Sequence, residues 1–253
     1  MTIVPIPAFS DNYIWMLERE GRVAVVDPGD ANPVLAVLQE RGVILDTLII
    51  THHHFDHTGG VRALKEKTNC RVVGPDNPKI EGIDEKLGDG DIVHVLGYDF
   101  AVLEVPGHTL DHIALHCADE SVLFCGDTLF VGGCGRVFEG TYPMMQSSLA
   151  KLAALPPETA VYCTHEYTLA NLAFARKVEP DNEDLLAHAS KCERMRAENI
   201  PTVPSTIGRE LEINPFLRWS SPAVIAQLTH EGRFEGGSPA EVFGAVRAWK
   251  DEG

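Results

Sequence analysis

The sequence predicts an α/β protein with a smaller helical part at its C-terminal end. Three observations carry this expectation. Short apolar runs alternate with amphipathic stretches over the first two thirds of the chain. Several of those runs end in polar clusters rich in His and Asp, the place where α/β architectures put their chemistry. After about residue 166 the strand-like runs give way to helix-like segments. A chain of 253 residues, 44% hydrophobic, suits one large domain or one domain with an appendage around a real core. The expected division is 1–165 and 166–253.

The elements follow in order. Residues 23–26 form an apolar strand ending in the turn Asp27-Pro28-Gly29-Asp30. Asn32-Pro33 opens a helix that runs to Gly42, proline being suited to the first helical position. Residues 47–50 form a second apolar strand that runs directly into His52-His53-His54-Phe55-Asp56-His57-Thr58-Gly59-Gly60, and a helix follows over 61–68. Residues 71–73 are a strand. Residues 91–95 and 99–105 alternate around Gly97-Tyr98 and read as a hairpin. Two more strands cover 113–117 and 122–125, a helix covers 144–154, and a last strand covers 160–163. Beyond these, 169–178 and 183–198 read as helices, and 200–218 as irregular and proline-rich. Ser238-Pro239-Ala240-Glu241 combines a capping box with a proline at the first helical position, so a terminal helix is expected over 239–250.

Composition narrows the function. The formal net charge of −16 argues against nucleic acid and against an anionic membrane as partners. If the substrate is itself an anion, a few cations have to be concentrated at the site. No run of about 18 apolar residues exists, so no membrane span is expected. The N-terminal stretch lacks a basic region followed by an apolar block and reads as mature protein. Cys70, Cys117, Cys125, Cys134, Cys163 and Cys192 form no CxxC pair. They read as free thiols of a reducing, cytoplasmic compartment, acting as small buried hydrophobes.

The strongest chemical signal is His52-x-His54-x-Asp56-His57, three imidazoles and a carboxylate just past a strand. Imidazole nitrogen and carboxylate oxygen suit zinc, iron or manganese, and no thiolate of a structural zinc site is present. If the segment were extended, His52, His54 and Asp56 would share a face and His57 would point the other way. One segment could then serve two metals, His52 and His54 on one, Asp56 and His57 on the other. Three further candidates end strands: His108 in Pro106-Gly107-His108-Thr109, Asp127 in Gly126-Asp127-Thr128, and His165 in Thr164-His165-Glu166. Asp127 could bridge, since a carboxylate has two oxygens. His53 and His112 sit beside these residues as candidates to orient them. His94, His116, His188 and His230 read as surface or core residues. Asp27 ends an early strand as a turn residue.

The motifs HHHFDHTGG, PGHT, GDTLF and THEYT, in this order, resemble the metallo-β-lactamase superfamily. The resemblance implies an αββα sandwich with the site at one edge between two sheets. It implies that His52, His54 and His108 bind one metal, that Asp56, His57 and His165 bind the other, and that Asp127 bridges. Asp56 and Asp127 are its catalytic carboxylates. In this superfamily an Asp placed like Asp27, at the end of an early strand, supports the histidine loop. Two divalent ions, zinc above iron or manganese, would generate hydroxide near neutral pH and polarise the carbonyl under attack. That gives hydrolysis as the reaction without giving the substrate.

A finer resemblance bears on the substrate. The segment from Gly126 to Thr141, with its Gly133-Cys134-Gly135-Arg136 turn, is similar to the glyoxalase II family. So are Ser10-Asp11-Asn12-Tyr13, Thr164-His165-Glu166-Tyr167-Thr168, Asn214-Pro215-Phe216-Leu217-Arg218 and the terminal helix. The implied activity is hydrolysis of S-(2-hydroxyacyl)glutathione, chiefly S-D-lactoylglutathione, to glutathione and D-lactate by a metal-bridging hydroxide, the second step of methylglyoxal detoxification. The first domain would be catalytic, the second helical and substrate-binding, and the protein a monomer.

By motif, the glutathione-binding residues fall on Arg136, Tyr167, Arg247 and Lys250, with Phe138 where some members have a tyrosine. Arg247 and Lys250 are spaced i, i+3 and so share a helix face. Glutathione carries two carboxylates that such cations can clamp, which answers the charge problem. Asp111 stands where the superfamily often has glycine. A glutathione-persulfide sulfur dioxygenase, or a lactonase or β-lactamase, on the same scaffold are the competing readings.

Overall fold

The computed structural model describes residues 1–253. They form two compact units, 1–104 with 111–126, and 105–110 with 127–253. The division expected at 165/166 follows the change in composition; the compact units exchange the chain at Asp127, and the short segment 105–110 groups with the second.

In the first unit, β1 (Thr2–Ala8) and β2 (Asn12–Arg19) pair antiparallel from Thr2↔Glu18 to Ala8↔Asn12. Neither strand was expected from the sequence. β1 carries Pro5 and Pro7, which normally argue against a strand, but it lies at the sheet edge, where a missing N–H leaves no ladder bond unmade. β3 (Arg22–Val26), α1 (Ala31–Arg41), β4 (Ile44–Ile49), α2 (Phe55–Thr58), α3 (Val61–Thr68), β5 (Arg71–Pro75) and β6 (Glu85–Leu87) complete this part. The sheet runs in the order β1 to β6, antiparallel as far as β3 and parallel from β3 onward.

Helix α1 begins two residues before the expected start. Asp30 caps it by accepting from the Asn32 N–H at 2.9 Å, and Pro33 sits in the first turn, where an amide proton would have no partner. Ile14, Met16, Val23, Val25, Leu48 and Ile50 point to one side of the sheet and join Val34 and Leu38 of α1 and Val61 and Leu64 of α3 in one apolar core. Their alternate neighbours Trp15, Leu17, Ala24, Val26 and Ile49 are buried as well, so both faces of the central strands are covered. A second group of strands, β7 (Ile92–Val95), β8 (Tyr98–Glu104), β9 (Ile113–Cys117) and β10 (Val122–Gly126), is antiparallel throughout. The hairpin expected around Gly97 is β7–β8. The Ile113 N–H donates to the Thr51 carbonyl at 2.9 Å and ties this group to the residue just before the histidine cluster.

In the second unit, β11 (Leu129–Phe130) and β12 (Gly133–Cys134) form a tiny hairpin, followed by α4 (Tyr142–Ala153), β13 (Ala160–Cys163), α5 (Thr168–Val178) and α6 (Glu183–Ala197). The stretch 200–218, expected to be irregular, contains β14 (Ser205–Thr206), antiparallel to β13, and α7 (Ile207–Ile213). Its prolines lie outside both elements, and Thr206 caps α7 by accepting from the Arg209 N–H. A further unexpected helix, α8 (Pro222–His230), starts at the cap Ser221. α9 (Pro239–Asp251) begins where the capping box placed it, with the Ser238 N–H donating to Glu241 Oε2 at 2.7 Å. Leu172 and Ala175 of α5, Leu185, Ala189 and Cys192 of α6, and Ile213 of α7 form one core. A chain of aromatic contacts, Trp249–Phe174–Phe216–Phe243, packs α9 into the same unit. No helix is long and apolar enough to cross a membrane.

Candidate metal centre

Parallel strands β3 and β4 are neighbours in register, so the residues following them emerge side by side. Asp27 follows β3 and is buried, with a left-handed backbone at φ 52°. That conformation costs an ordinary side chain on the order of 1 kcal/mol, and Asp tolerates it better than most. Three donors hold it there: the Thr51 N–H and Thr51 Oγ1, each at 2.8 Å, and His57 Nδ1 at 2.9 Å. Asp27 is therefore a support for the histidine loop, the second of the two readings its position allowed. Because His57 donates Nδ1–H to this carboxylate, its Nε2 is the nitrogen left for a metal. The loop is also pressed tightly against Asp27's turn, since a Cβ on Gly29 would lie 1.9 Å from the Asp56 carbonyl oxygen.

The extended course assumed for residues 52–57 holds only to His54. His54 is the N-cap of α2, and Phe55 to Thr58 are helical, closed by the Thr58 N–H to the His54 carbonyl. The helix, and not strand alternation, is what turns His57 inward while Asp56 stays partly exposed. His52 Nε2 and His54 Nδ1 stand 3.1 Å apart. Two ligands of one tetrahedral zinc, each at about 2.0–2.1 Å, would be separated by roughly 3.3 Å, so this pair fits a shared ion. Asp56 Oδ2 lies 3.5 Å from His57 Nε2 and accepts from Asn12 Nδ2 at 3.0 Å. Asn12 belongs to the Ser10-Asp11-Asn12-Tyr13 motif, whose role the sequence did not define.

Two flanking histidines are tied down. His112 is buried, stacks on His52 with ring centroids 4.5 Å apart, and sits with Nδ1 3.1 Å from the Ile113 carbonyl. His53 Nδ1 meets Asp111 Oδ1 at 2.8 Å, Asn77 Nδ2 donates to Asp111 Oδ2 at 2.8 Å, and Lys79 Nζ reaches His53 Nε2 at 3.1 Å. Asp111, the residue standing in place of glycine, is thus engaged in fixing the ring between His52 and His54.

The second unit brings together its own three candidates. Asp127 Oδ2 lies 3.4 Å from His108 Nε2 and 3.3 Å from His165 Nε2. One carboxylate oxygen flanked by two imidazoles at ligand-to-ligand spacing is the arrangement a bridging residue needs. His108 Nδ1 is 2.8 Å from the Arg136 carbonyl, which fixes the ring and directs Nε2 toward Asp127. Three rings surround these groups. Phe138 meets His108 edge-on at 5.3 Å, Tyr167 stacks on His165 at 4.6 Å, and Phe130 meets both His165 and Tyr167 edge-on. Phe138 itself is 61% exposed, an apolar ring held in water beside polar chemistry.

The four cation and tyrosine positions of the expected glutathione group also fall in this unit. Arg247 is buried, with its guanidinium spread between the Cys134 carbonyl at 3.3 Å and Asp251 Oδ1 at 2.9 Å, and lies over the Phe216 ring. Arg136 Nε donates to the same Asp251 oxygen at 3.1 Å. Lys250 Nζ donates to Asn171 Oδ1 and lies over the Phe174 and Phe216 rings. Burial pulls the Lys250 ammonium down to about 8. Arg247 and Lys250 therefore form no solvated helix face. Two of the three cations, Arg136 and Arg247, share the Asp251 carboxylate while Lys250 bonds an amide oxygen, which leaves a formal surplus of two positive charges in a strongly acidic protein.

Sequence reasoning missed Thr51, Asn12, Asn171 and Asp251 as functional neighbours. Asp251 had a signal, its i, i+4 spacing from Arg247. Asn171 had none. Among the remaining histidines, His94 is exposed beside Asp99, and His188 is pushed down to about 4 by burial and by Arg209 and Lys191.

Comparison with known proteins agrees with this chemistry. The chain matches the Metallo-beta-lactamase superfamily over residues 9–165 and the Hydroxyacylglutathione hydrolase C-terminus over 166–253. It is 53% identical over 254 residues to a hydroxyacylglutathione hydrolase of Chromohalobacter salexigens, covering 99% of each chain. It is 53% identical to one of Pseudomonas aeruginosa, over 98% of this chain and 97% of the relative. Among solved structures, ETHE1 from Myxococcus xanthus aligns with a TM-score of 0.68 and 26% identity, over 99% of this chain and 98% of that one. The BLEG-1 B3 metallo-beta-lactamase aligns with a TM-score of 0.65 and 22% identity, over 85% of this chain and 98% of that one, a likeness of fold alone. The fold class is thus that of the metallo-β-lactamases, with helical structure following it.

Proposed function

The chain belongs to the hydroxyacylglutathione hydrolase family of the metallo-β-lactamase superfamily, and we propose that it hydrolyses S-(2-hydroxyacyl)glutathione thioesters, chiefly S-D-lactoylglutathione, to glutathione and D-lactate. The single observation that carries this reading is the family match across nearly the whole length, including residues 166–253, which match the Hydroxyacylglutathione hydrolase C-terminus.

The His and Asp donors suit divalent metal ions. In our reading there are two, both zinc, with His52, His54 and His108 on one, Asp56, His57 and His165 on the other, and Asp127 between them. The support is local: an imidazole pair 3.1 Å apart, an Asp127 oxygen within 3.4 Å of two imidazoles, and rings whose other nitrogens face Asp27 or a carbonyl. When bound, such ions supply an activated water and polarise the carbonyl.

The chain's own residues do the rest. Asn12 and Asp27 hold Asp56 and His57 in place against the pull of solvent. Arg136, Arg247 and Lys250 hold the carboxylates of the glutathione part, and Tyr167 and Phe138 line its path to the imidazoles they touch. The thiolate leaves without a protein acid, because thiol pKa values near 8.5 make it a good leaving group. Six free, buried cysteines fit a reducing, cytoplasmic setting, and we take the active form to be the monomer.

Steady-state hydrolysis of S-D-lactoylglutathione, run beside a β-lactam, a lactone and oxygen uptake with glutathione persulfide, tests the reading. Thioester turnover far above the other three is expected. Preference for any of the others overturns it.

A further inference from the structure

Glu210, on α7, is a fully buried carboxylate far in sequence from every candidate metal ligand. Both of its oxygens are used. Oε2 accepts from the Gly132 N–H at 2.8 Å and from Asn214 Nδ2 at 2.9 Å, and Oε1 accepts from Ser205 Oγ at 2.6 Å. Burial pushes the carboxyl up to about 7, opposed by these same three donors. A charged group held in such a place has a cost, and an apolar side chain of the same size would avoid it. What the carboxylate touches accounts for its presence.

The β11–β12 hairpin has only two residue pairs, Leu129↔Cys134 and Phe130↔Gly133. A ladder that short is marginal by itself. Gly132 stands at its tip with φ 64°, a left-handed conformation that frees the N–H from the ladder and aims it at Glu210. Asn214 Nδ2 also donates to the Phe130 and Gly133 carbonyls at 3.2 and 2.9 Å, and Asn171 Nδ2 donates to the Val131 carbonyl at 3.1 Å. Every residue from Phe130 to Gly133 is therefore clamped by a buried side chain. The hairpin supports Arg247 directly, through the Cys134 carbonyl, and Lys250 through Asn171 of α5, whose Nδ2 donates to the Val131 carbonyl and whose Oδ1 accepts from Lys250.

We propose that Glu210 is a positioning residue for substrate binding, which fixes the 129–134 hairpin and through it the places of Arg247 and Lys250. The inference rests on reading those two cations as glutathione-binding groups. Glu210 touches neither substrate nor metal ligand; it acts through the Gly132 amide and through Asn214.

The test compares Glu210→Asp and Glu210→Gln with the parent, on S-D-lactoylglutathione, with metal content measured on each sample. Aspartate keeps the charge but withdraws the oxygens by one methylene. Glutamine keeps the hydrogen-bond frame, its amide oxygen in place of Oε2 and its NH₂ donating to Ser205, whose hydroxyl can turn. In Glu210→Asp the KM is expected to rise about tenfold, the size of one or two lost hydrogen bonds, with kcat and metal content unchanged. Glu210→Gln should restore the parental KM.

A parental KM in Glu210→Asp overturns the inference. So does a joint fall of kcat and metal content, which marks a merely structural role, or a Gln variant as impaired as the Asp variant. If Glu210→Asp does not fold, Ser205→Ala, which removes only the donor to Oε1, is read in its place. A KM rise of about threefold is then expected, and no change overturns the inference. A parent without turnover on this thioester defeats the functional reading itself; a competent parent with unaltered variants defeats only the role of Glu210.

Discussion

Replacing Arg247 by methionine separates two contributions that the structure superimposes. Methionine keeps most of the buried volume and removes the charge. Within the protein, the guanidinium gives up a 3.3 Å bond to the Cys134 carbonyl, a 2.9 Å bond to Asp251 and its place over Phe216. Removing one partner of a buried ion pair usually costs about 3–5 kcal/mol, because the other charge is stranded. Here Asp251 is 26% exposed and keeps Arg136 at 3.1 Å, so it is not stranded. The expected stability loss is the smaller one of hydrogen bonds to a charged group, about 1.5–3 kcal/mol. For a protein of this size that lowers Tm by roughly 3–12 °C.

Toward substrate, loss of one partly desolvated charged contact weakens binding by about 1.5–3 kcal/mol, or roughly 10- to 150-fold in KM. The kcat should move by less than about threefold, since the side chain lies away from the reacting carbon. The assay is steady-state hydrolysis of S-D-lactoylglutathione below Tm, beside a small neutral thioester and with metals counted. The neutral thioester should be handled as by the parent. Rising salt should reproduce part of the KM change in the parent and little of it in Arg247→Met. A KM unchanged in metal-replete Arg247→Met, or an equal loss on both thioesters, would refute the reasoning. The first outcome removes Arg247 from the substrate site; the second makes it a support for the chemistry.

Well-loaded protein should contain about two metal ions per chain by elemental analysis, and Asp127→Ala should lose occupancy at both positions; retention of two ions with full activity would end the bridging assignment. Lys250, with its ammonium lowered to about 8, should lose its charge as pH rises through that value, so KM for the glutathione thioester should climb above pH 8 while kcat stays level. In Lys250→Arg the climb should vanish, and a climb of the same size there would move the titration to another group. Glu210 behaves oppositely as an acid: its folded value of about 7 lies above the unfolded 4.5, so between those values the folded state holds a proton that the unfolded state has lost. Stability present below pH 4.5 is then lost as pH rises through 7, by roughly 2–4 kcal/mol. Glu210→Gln escapes that loss, so its Tm advantage over the parent should widen from pH 5 to pH 8; parallel Tm curves would show that Glu210 does not titrate there.

The elements most legible in sequence were those whose pattern is local. The apolar run before His52, the alternation on either side of Gly97 and the capping box at Ser238 each announce a structure within a few residues, and each is found where expected. β1 escaped because its two prolines are excused only by an edge position, which depends on which strands pair. α7 and α8 escaped because prolines around them mask short helices whose caps, Thr206 and Ser221, are legible only once the chain's course is known. The direction of His57 is illegible for a related reason. Period-two alternation does not extend past His54, because the segment becomes helical at Phe55.

By itself the sequence determined the chemistry on offer: imidazoles and carboxylates at strand ends, cations on the terminal helix, and a family pattern with every ligand position filled. Donor atoms belong to side chains and survive any fold that brings them near one another, which is why they can be read in advance. Tertiary structure alone decided how each donor is aimed and what each charge is worth. It put Asp27 behind His57, set Asp111 against His53, buried Arg247 against Cys134 and Asp251, and lowered Lys250 through burial. It also placed Glu210 under a glycine amide 78 residues away. Orientation and desolvation arise from neighbours distant along the chain, and no local pattern of residues encodes them.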